Sequence, residues 1–456
     1  LTKILINERI RIEKEVLENK NSANGLTFLP KDDYVVGQKL IFPAMDFEKG
    51  TITHKRAGNN PEYGEFFVVS VEFKDGLSKQ FACGIAEHKL NETILLSEED
   101  PALDADLVYT RYKKMISALL IKELQKNEDI VQIAGYWFPQ ALLVDVNIGY
   151  LNLAEAVLEM ENGGPLPTKN ILEQIELPTD ANAKLTEFSL NYALQEDKRF
   201  DEVGPAGETL WFLHRLEPEN VRSVPKFLTP DFSQDFNKSE YEHLLSYINS
   251  EVYDELEDYS VSEECISDVN ISIIYPHWRS GTLPLSSCLE ELFPTAYEAP
   301  RIRFTFIDGE TGEKFPGWVI RKKRYVYGLS EWYQSNDVIP GSIIHLKITK
   351  TPGEVIVSIG KKKPTSEWVR TASATSDGKI AFGMLKQRIS TEFDDRMIVA
   401  IGDSQQVESL WDKYENYPLE KLLPIIVREL AKLNPQGHVH AQELYAAINV
   451  IKRISP

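Results

Sequence analysis

Apolar positions change period several times along the chain, and each change marks an element boundary. Ile4, Ile12 and Val16 recur among Arg, Lys and Glu, which predicts a charged helix over 3–20 that ends in the Asn/Ser/Gly-rich stretch 20–25. From Tyr34 the pattern shortens to alternating runs at 34–36, 39–42, 50–53, 66–71 and 80–82, separated by Gly, Asn, Pro and Asp75-Gly76. Five short strands in that space predict a small β-barrel over 30–95. Helical spacing returns over 106–126.

A sharper pattern follows within 104–225. A Leu-rich helix over 151–160 ends at Gly163-Gly164-Pro165, Thr168 caps a short helix to Ile175, and a third helix runs over 184–195. Arg199 to Gly204 and Thr209 to Leu213 then read as a two-stranded wing. Three helices and a β-hairpin in this order predict a winged helix over 151–215. The third helix sets Lys184 against Glu187, Glu196 and Asp197, a poor balance for phosphate, so contact with protein stays open beside contact with DNA.

Two resemblances attach to these segments. Val36-Gly37-Gln38, Gly50-Thr51-Ile52 and 69–73 are similar to the KOW/Tudor-like barrels of transcription and RNA-processing factors. The helix boundaries and the wing phrase at 199–213 resemble the HARE-HTH domain of the bacterial RNA polymerase delta subunit and of chromatin and restriction proteins.

Composition bounds the rest. The chain has 456 residues, 42% hydrophobic and 26% charged, which implies several folded domains. Cys83, Cys265 and Cys288 lie far apart with no CxxC pair, so neither a disulfide framework nor a local zinc site is expected. His438 and His440 point to opposite sides if extended, which argues against a shared metal. No apolar run of membrane-spanning length and no secretory leader is visible, so a soluble, intracellular, cytoplasmic protein without a membrane partner is expected, nucleoid-associated if bacterial. The opening Leu1 suggests that native residues precede this numbering.

The net charge of -20 opposes indiscriminate coating of nucleic acid, which turns attention to how charge is distributed. Residues 229–268 carry one lysine and twelve Asp or Glu, and aromatic residues at near-helical spacing predict a docked acidic helical connector. Residues 301–370 reverse the sign, with thirteen Lys or Arg against seven Asp or Glu. Strands are expected there at 271–275, 301–307, 317–321, 325–329, 342–349 and 354–359, interrupted by short helices at 286–292 and 330–335, which predicts a basic closed barrel over 269–370. The C-terminal extension, 371–456, is expected to hold a helix-turn-helix-like unit of helices at 422–433 and 441–452.

The phrases Thr282-Leu283-Pro284-Leu285, Leu292-Phe293-Pro294, Phe306 to Gly309 before Trp318, Arg324-Tyr325 before Leu329 and Trp332, and Val338 to Ser342 make 271–362 resemble the plant-type DNA-binding pseudobarrel. Ser330-Glu331 departs from that pattern, where the family usually has a glycine before the tryptophan. The resemblance implies a seven-stranded pseudobarrel with two DNA-reading arms, His277, Trp278, Arg279 and Ser280 in the first and Arg321, Lys322, Lys323 and Arg324 in the second. Guanidinium groups suit guanine edges and lysines suit phosphate. If 321–324 lie on a strand, two of the four face away from any ligand, and Trp278 is open to a core reading. Lys361, Lys362 and Lys363 read as a nonspecific phosphate contact or a solvated strand exit.

No GxxxxGK[ST], GxGxxG after a strand, HExxH or GxSxG occurs, so no enzyme mechanism and no cofactor is implied. Asp308, Glu310, Glu313 and Lys314 fit a surface turn better than a Mg²⁺ nuclease site. The expectation is a multidomain α+β, non-enzymatic, transcription-associated protein that recognises duplex DNA. Its rivals are an interaction scaffold of an RNA polymerase or defence complex and a site-recognition subunit of a restriction-type nuclease.

Overall fold

The computed structural model describes residues 1–22, 26–42, 45, 48–60, 64–74, 76–91, 101–177, 180–230, 252–256, 267–287 and 289–456, with the side chains of 16–22 and 362 excepted. The described residues contain eleven α-helices and several sheets, one of them a curled seven-stranded half-barrel. No described helix is long and apolar enough to cross a membrane. Contacts divide the chain into 1–128 and 129–456.

In the first unit, helices α1 (Thr2–Ser22) and α2 (Ala105–Leu124) pair around Ile6, Ile10 and Leu103, and the Asp104 carboxylate caps α2 by accepting from the Asp106 and Leu107 N–H groups. Strands β1 (Leu26–Thr27), β2 (Lys39–Phe42), β3 (Glu48–Ala57), β4 (Phe67–Phe73) and β5 (Ser78–Cys83) form one sheet in chain order. Alternation buries Leu40, Phe42, Ile52, Val69 and Val71 on one face. Residues 34–36 do not form the strand expected of them. The Tyr34 side chain is buried instead, its hydroxyl donating to the Leu29 carbonyl at 3.0 Å, and Gly37 turns the chain at φ 90°.

The second unit opens with hairpin β6 (Ile130–Ile133) and β7 (Tyr136–Pro139), followed by α3 (Ile148–Met160), α4 (Thr168–Ile175) and α5 (Ala183–Glu196). Strands β8 (Leu166–Pro167), β9 (Phe200–Glu202) and β10 (Leu210–Leu213) pair in the order β8-β10-β9. Thr168 does not cap α4 as expected; Pro167 precedes the helix, and the Thr168 hydroxyl is buried against Asn191 Oδ1. That amide oxygen also accepts from Trp211 Nε1 at 2.9 Å, which satisfies the indole N–H inside an apolar core.

The half-barrel comprises β11 (Asp268–Ser272), β12 (Thr282–Pro284), β13 (Ile302–Asp308), β14 (Lys314–Ile320), β15 (Tyr325–Tyr327), β16 (Ile343–Ile348) and β17 (Glu354–Ile359), in the order β11-β16-β17-β13-β14-β15-β12. Only β13 and β17 run parallel among these pairs. Ile302, Phe304 and Phe306 alternate inward on β13. The helix expected at 286–292 shortens to a 3₁₀ turn at Glu290–Leu292.

Hairpin β9–β10 and the half-barrel share a core of Val203, Phe212, Val221, Trp318, Ile320 and Tyr325, with the Phe212 and Trp318 rings edge to face at 5.3 Å. The Arg303 N–H donates to the Val203 carbonyl at 2.9 Å across the same junction. Segments read separately in the sequence therefore bury apolar surface in common.

Strands β18 (Lys361–Ala374) and β19 (Ile380–Thr391) form a long hairpin, with β20 (Ala400–Ile401) parallel to β18. The boundary expected at 370 thus falls inside a strand. Helices α6 (Glu219–Arg222), α7 (Tyr275–Ser280), α8 (Ser330–Ser335), α9 (Ser404–Tyr414), α10 (Leu419–Ala431) and α11 (Ala441–Ile448) complete the unit. Tyr275 of α7 packs with Trp411, Leu422, Ile426 and Ile451, so α7 joins the half-barrel to the C-terminal helices. Of the expected acidic connector, 231–251 and 257–266 lie outside the described residues.

Candidate nucleic-acid interface

The first expected arm is a helix. Pro276 sits in the first turn of α7, and Gly281 ends it at φ 65°. His277 is 1% exposed: Nδ1 lies 2.8 Å from Thr282 Oγ1 and Nε2 lies 2.8 Å from Glu255 Oε2. Ser280 is buried as well. Trp278 donates Nε1–H to the Val338 carbonyl at 2.7 Å and leaves part of its ring at the surface. Arg279 alone reaches outward, paired with Glu408. Burial removes His277 and Ser280 from a base-reading role, and His277 has both ring nitrogens partnered as well, so exposing either would open the core around α7.

The second arm is one 3₁₀ turn at Arg321–Lys323, with Arg324 in the left-handed region at φ 56°. This corrects the strand assumed for 321–324. Arg321 donates to the carbonyls of Pro294, Glu290 and Phe293 at 3.1, 3.0 and 2.9 Å, and burial pushes its guanidinium below the ordinary value. A side chain bonded to three carbonyls is a loop staple rather than a free base reader. Lys322 and Lys323 are exposed.

Strand register separates this turn from Lys361–Lys363. Ile302 pairs with Val319 at one end of β13, and Ile307 pairs with Lys314 at the other, where Lys361 meets Glu310. Seven residues of strand place the two basic clusters roughly 20 Å apart along the sheet. The Lys362 side chain lies outside the described set, and Lys363 is exposed. Asp308 accepts from its own turn, the Glu310 and Thr311 N–H groups at 2.8 and 2.9 Å, and from Trp332 Nε1. Lys314 pairs with Glu354 and Lys361 with Glu310, so the lysines beside this turn are held in surface ion pairs.

Beside α7 lies a cleft of about 690 Å³ lined by Trp278, Arg279, Tyr333, Asp337, Pro364 and Arg388, among others. Cross-strand pairs Ser366–Arg388 and Trp368–Lys386 put one face of the β18–β19 hairpin in line with that cleft. Trp368 is 64% exposed, and among the described residues neither Lys386 nor Arg388 has an ion-pair partner. Glu367 belongs to the opposite face, paired with Gln387. Farther along the same face Arg370 is buried against Glu443 and two carbonyls, so the solvent-facing part stops there. An exposed indole flanked by two unpaired cations, one of which lines the cleft together with Arg279, can stack a planar ring and neutralise an anionic backbone.

Sequence reasoning missed Trp368, Lys386 and Arg388. The alternation through 366–370 and the Asp377-Gly378 turn were available signals for the hairpin; the face shared by the three side chains follows only from cross-strand register. No family model, no curated protein and no solved structure matches the chain.

Proposed function

We propose that this chain is a non-enzymatic nucleic-acid-binding protein, transcription-associated, that takes duplex DNA on the face made by the α7 cleft and the β18–β19 hairpin. The observation that carries the proposal is the alignment of Trp368, Lys386 and Arg388 on one exposed strand face beside Arg279. In this reading the half-barrel is the pseudobarrel of the plant-type DNA-binding family, 151–215 is a HARE-HTH-like winged helix and 30–95 a KOW/Tudor-like barrel. Three helices followed by a hairpin at 148–213 support the second of these assignments. The exposed Lys386 and Arg388 on that face support the ligand class, since an acidic chain attracts phosphate only through local basic patches.

The test is a salt titration of the full chain on labelled duplex and single-stranded DNA. Binding with a log–log salt slope of about -0.9 per phosphate contacted on duplex is expected. A slope near zero, or no binding at low salt, overturns the proposal; tighter binding to single strands changes the ligand from duplex to unpaired nucleic acid.

A second reading, a scaffold for an RNA polymerase or another assembly, is favoured by one observation. Helix α2 exposes Leu107, Tyr112, Met115 and Leu119, a large apolar content for a solvated helix. Stable co-elution with a polymerase in the absence of DNA binding supports that reading.

A further inference from the structure

Where hairpin β9–β10 meets the half-barrel, three ligand-type side chains converge. Asp201 lies on β9, and His214 and Glu217 follow β10 in and after a 3₁₀ turn at His214–Leu216. His214 Nδ1 is 2.9 Å from Asp201 Oδ2 and 3.5 Å from Glu217 Oε2, and one ligand atom from each residue lies within 4.8 Å of the others. The Glu217 side chain is 0% exposed, and neither of its carboxylate oxygens has a hydrogen-bond partner. A buried carboxylate with no aligned hydrogen-bond donor is costly unless positive charge compensates it.

Arg301 supplies only part of that charge. Its Nη2 donates to Asp201 Oδ2 at 2.9 Å, while its Nε lies 3.3 Å from Glu217 Oε2 without hydrogen-bond alignment. Arg222 adds a weaker attraction on Glu217. Two carboxylates held mainly by one guanidinium leave room for a further cation. The donor set is mixed nitrogen and oxygen, which suits Zn²⁺ or a similar transition metal better than Mg²⁺ or Ca²⁺.

We propose that Asp201, His214 and Glu217 form a site for a divalent transition metal, Zn²⁺ in the first instance, that clamps the β9–β10 hairpin to the half-barrel. Around a tetrahedral Zn²⁺ with ligand bonds of 2.0–2.1 Å, neighbouring ligand atoms lie roughly 3.3 Å apart, near the two separations measured from His214 Nδ1. The metal takes the Nδ1 lone pair of the imidazole tautomer protonated on Nε2, and it replaces the His214–Asp201 hydrogen bond with two coordinate bonds. His214, 39% exposed, gives the ion a path from solvent and leaves a fourth position for water. The clamp is independent of the proposed DNA function, because none of its residues belongs to the α7 cleft or the hairpin face.

The experiment uses the full chain stripped with chelator and then titrated with Zn²⁺ by calorimetry, and with Co²⁺ followed by visible absorption. One ion per chain, a raised Tm and a Co²⁺ spectrum of mixed nitrogen and oxygen ligation are expected. His214→Ala and Glu217→Gln should each weaken binding at least tenfold and abolish the absorption, whereas His345→Ala, outside the cluster, should leave both unchanged. If Glu217→Gln fails to fold, His214→Ala decides alone, since its side chain is partly exposed. No stoichiometric binding, or binding equally tight in His214→Ala, overturns the site.

Discussion

His277 Nε2 and Glu255 Oε2 lie 2.8 Å apart with both side chains buried, and this pair is the near end of an ionic cluster that spans the C-terminal half of the chain. Arg453 reaches Asp254 Oδ1 at 2.5 Å and Glu255 Oε1 at 2.9 Å, and the Tyr445 hydroxyl donates to Asp254. Two acids, one guanidinium and one imidazole fix α7 against the C-terminal helices.

Removing the guanidinium strands both acids. Arg453→Met should cost about 3–5 kcal/mol, the usual loss when one partner of a buried ion pair is taken away. Urea unfolding of the variant beside Arg279→Ala checks it, because the Arg279–Glu408 pair is partly solvated and should contribute less than about 1 kcal/mol.

The same cluster sets an acid limit. Although burial alone would raise it, the Glu255 carboxyl is held well below its ordinary value near 4.5 by Arg453 and His277. A carboxyl depressed in the folded state contributes stability above its unfolded value, and that contribution is lost as pH falls further. Urea midpoints should therefore decline from about pH 4.5 downward, and Glu255→Gln should flatten that decline while lowering stability at neutral pH.

On the proposed DNA face, Lys386→Ala with Arg388→Ala should reduce the magnitude of the log–log salt slope by roughly 1.8 if each cation neutralises one phosphate. Lys322→Ala with Lys323→Ala, at the far end of the half-barrel, should leave it unchanged. Trp368→Ala should cost roughly 1–3 kcal/mol on single-stranded ligand if its ring stacks a base. Equal losses in both lysine-containing pairs would mean diffuse attraction and no defined face.

The junction core makes a further claim. Phe212→Ala should cost about 3–5 kcal/mol and lower one cooperative transition shared by the hairpin segment and the half-barrel. Two separate calorimetric transitions, with only the first shifted, would show that the segments fold independently.

Local signals in the sequence located most elements but not what they touch. Helix α4 runs over the residues expected, and α3 and α5 agree within a few residues, because caps, glycine and proline are local determinants. Strand β17 is likewise as expected at Glu354–Ile359. Residues 275–280 read as strand end and loop because Tyr-Pro-His-Trp-Arg-Ser has no helical periodicity of its own; Pro276 at the start and Gly281 at the end were the only cues. Burial of His277 was not legible at all, since its partner Glu255 precedes it by 22 residues and Arg453 completes the group from far downstream. For the candidate site, the basic character of 301–370 was plain, yet Arg321 proved to be a staple and the two cations beside Trp368 lie on β19, beyond the island.

The distance along the chain between the buried acids and their arginine has a consequence for biosynthesis. Arg453 follows Asp254 by 199 positions. At 5–20 residues per second, the ribosome delivers the acids roughly 10–40 s before the cation that neutralises them. Through that interval the emerging segment must keep Asp254 and Glu255 hydrated, so α7 cannot seat in its final place before Arg453 has been made. The half-barrel strands leave the ribosome earlier and can pair first. Closure of this end of the molecule waits on the synthesis of one residue, Arg453.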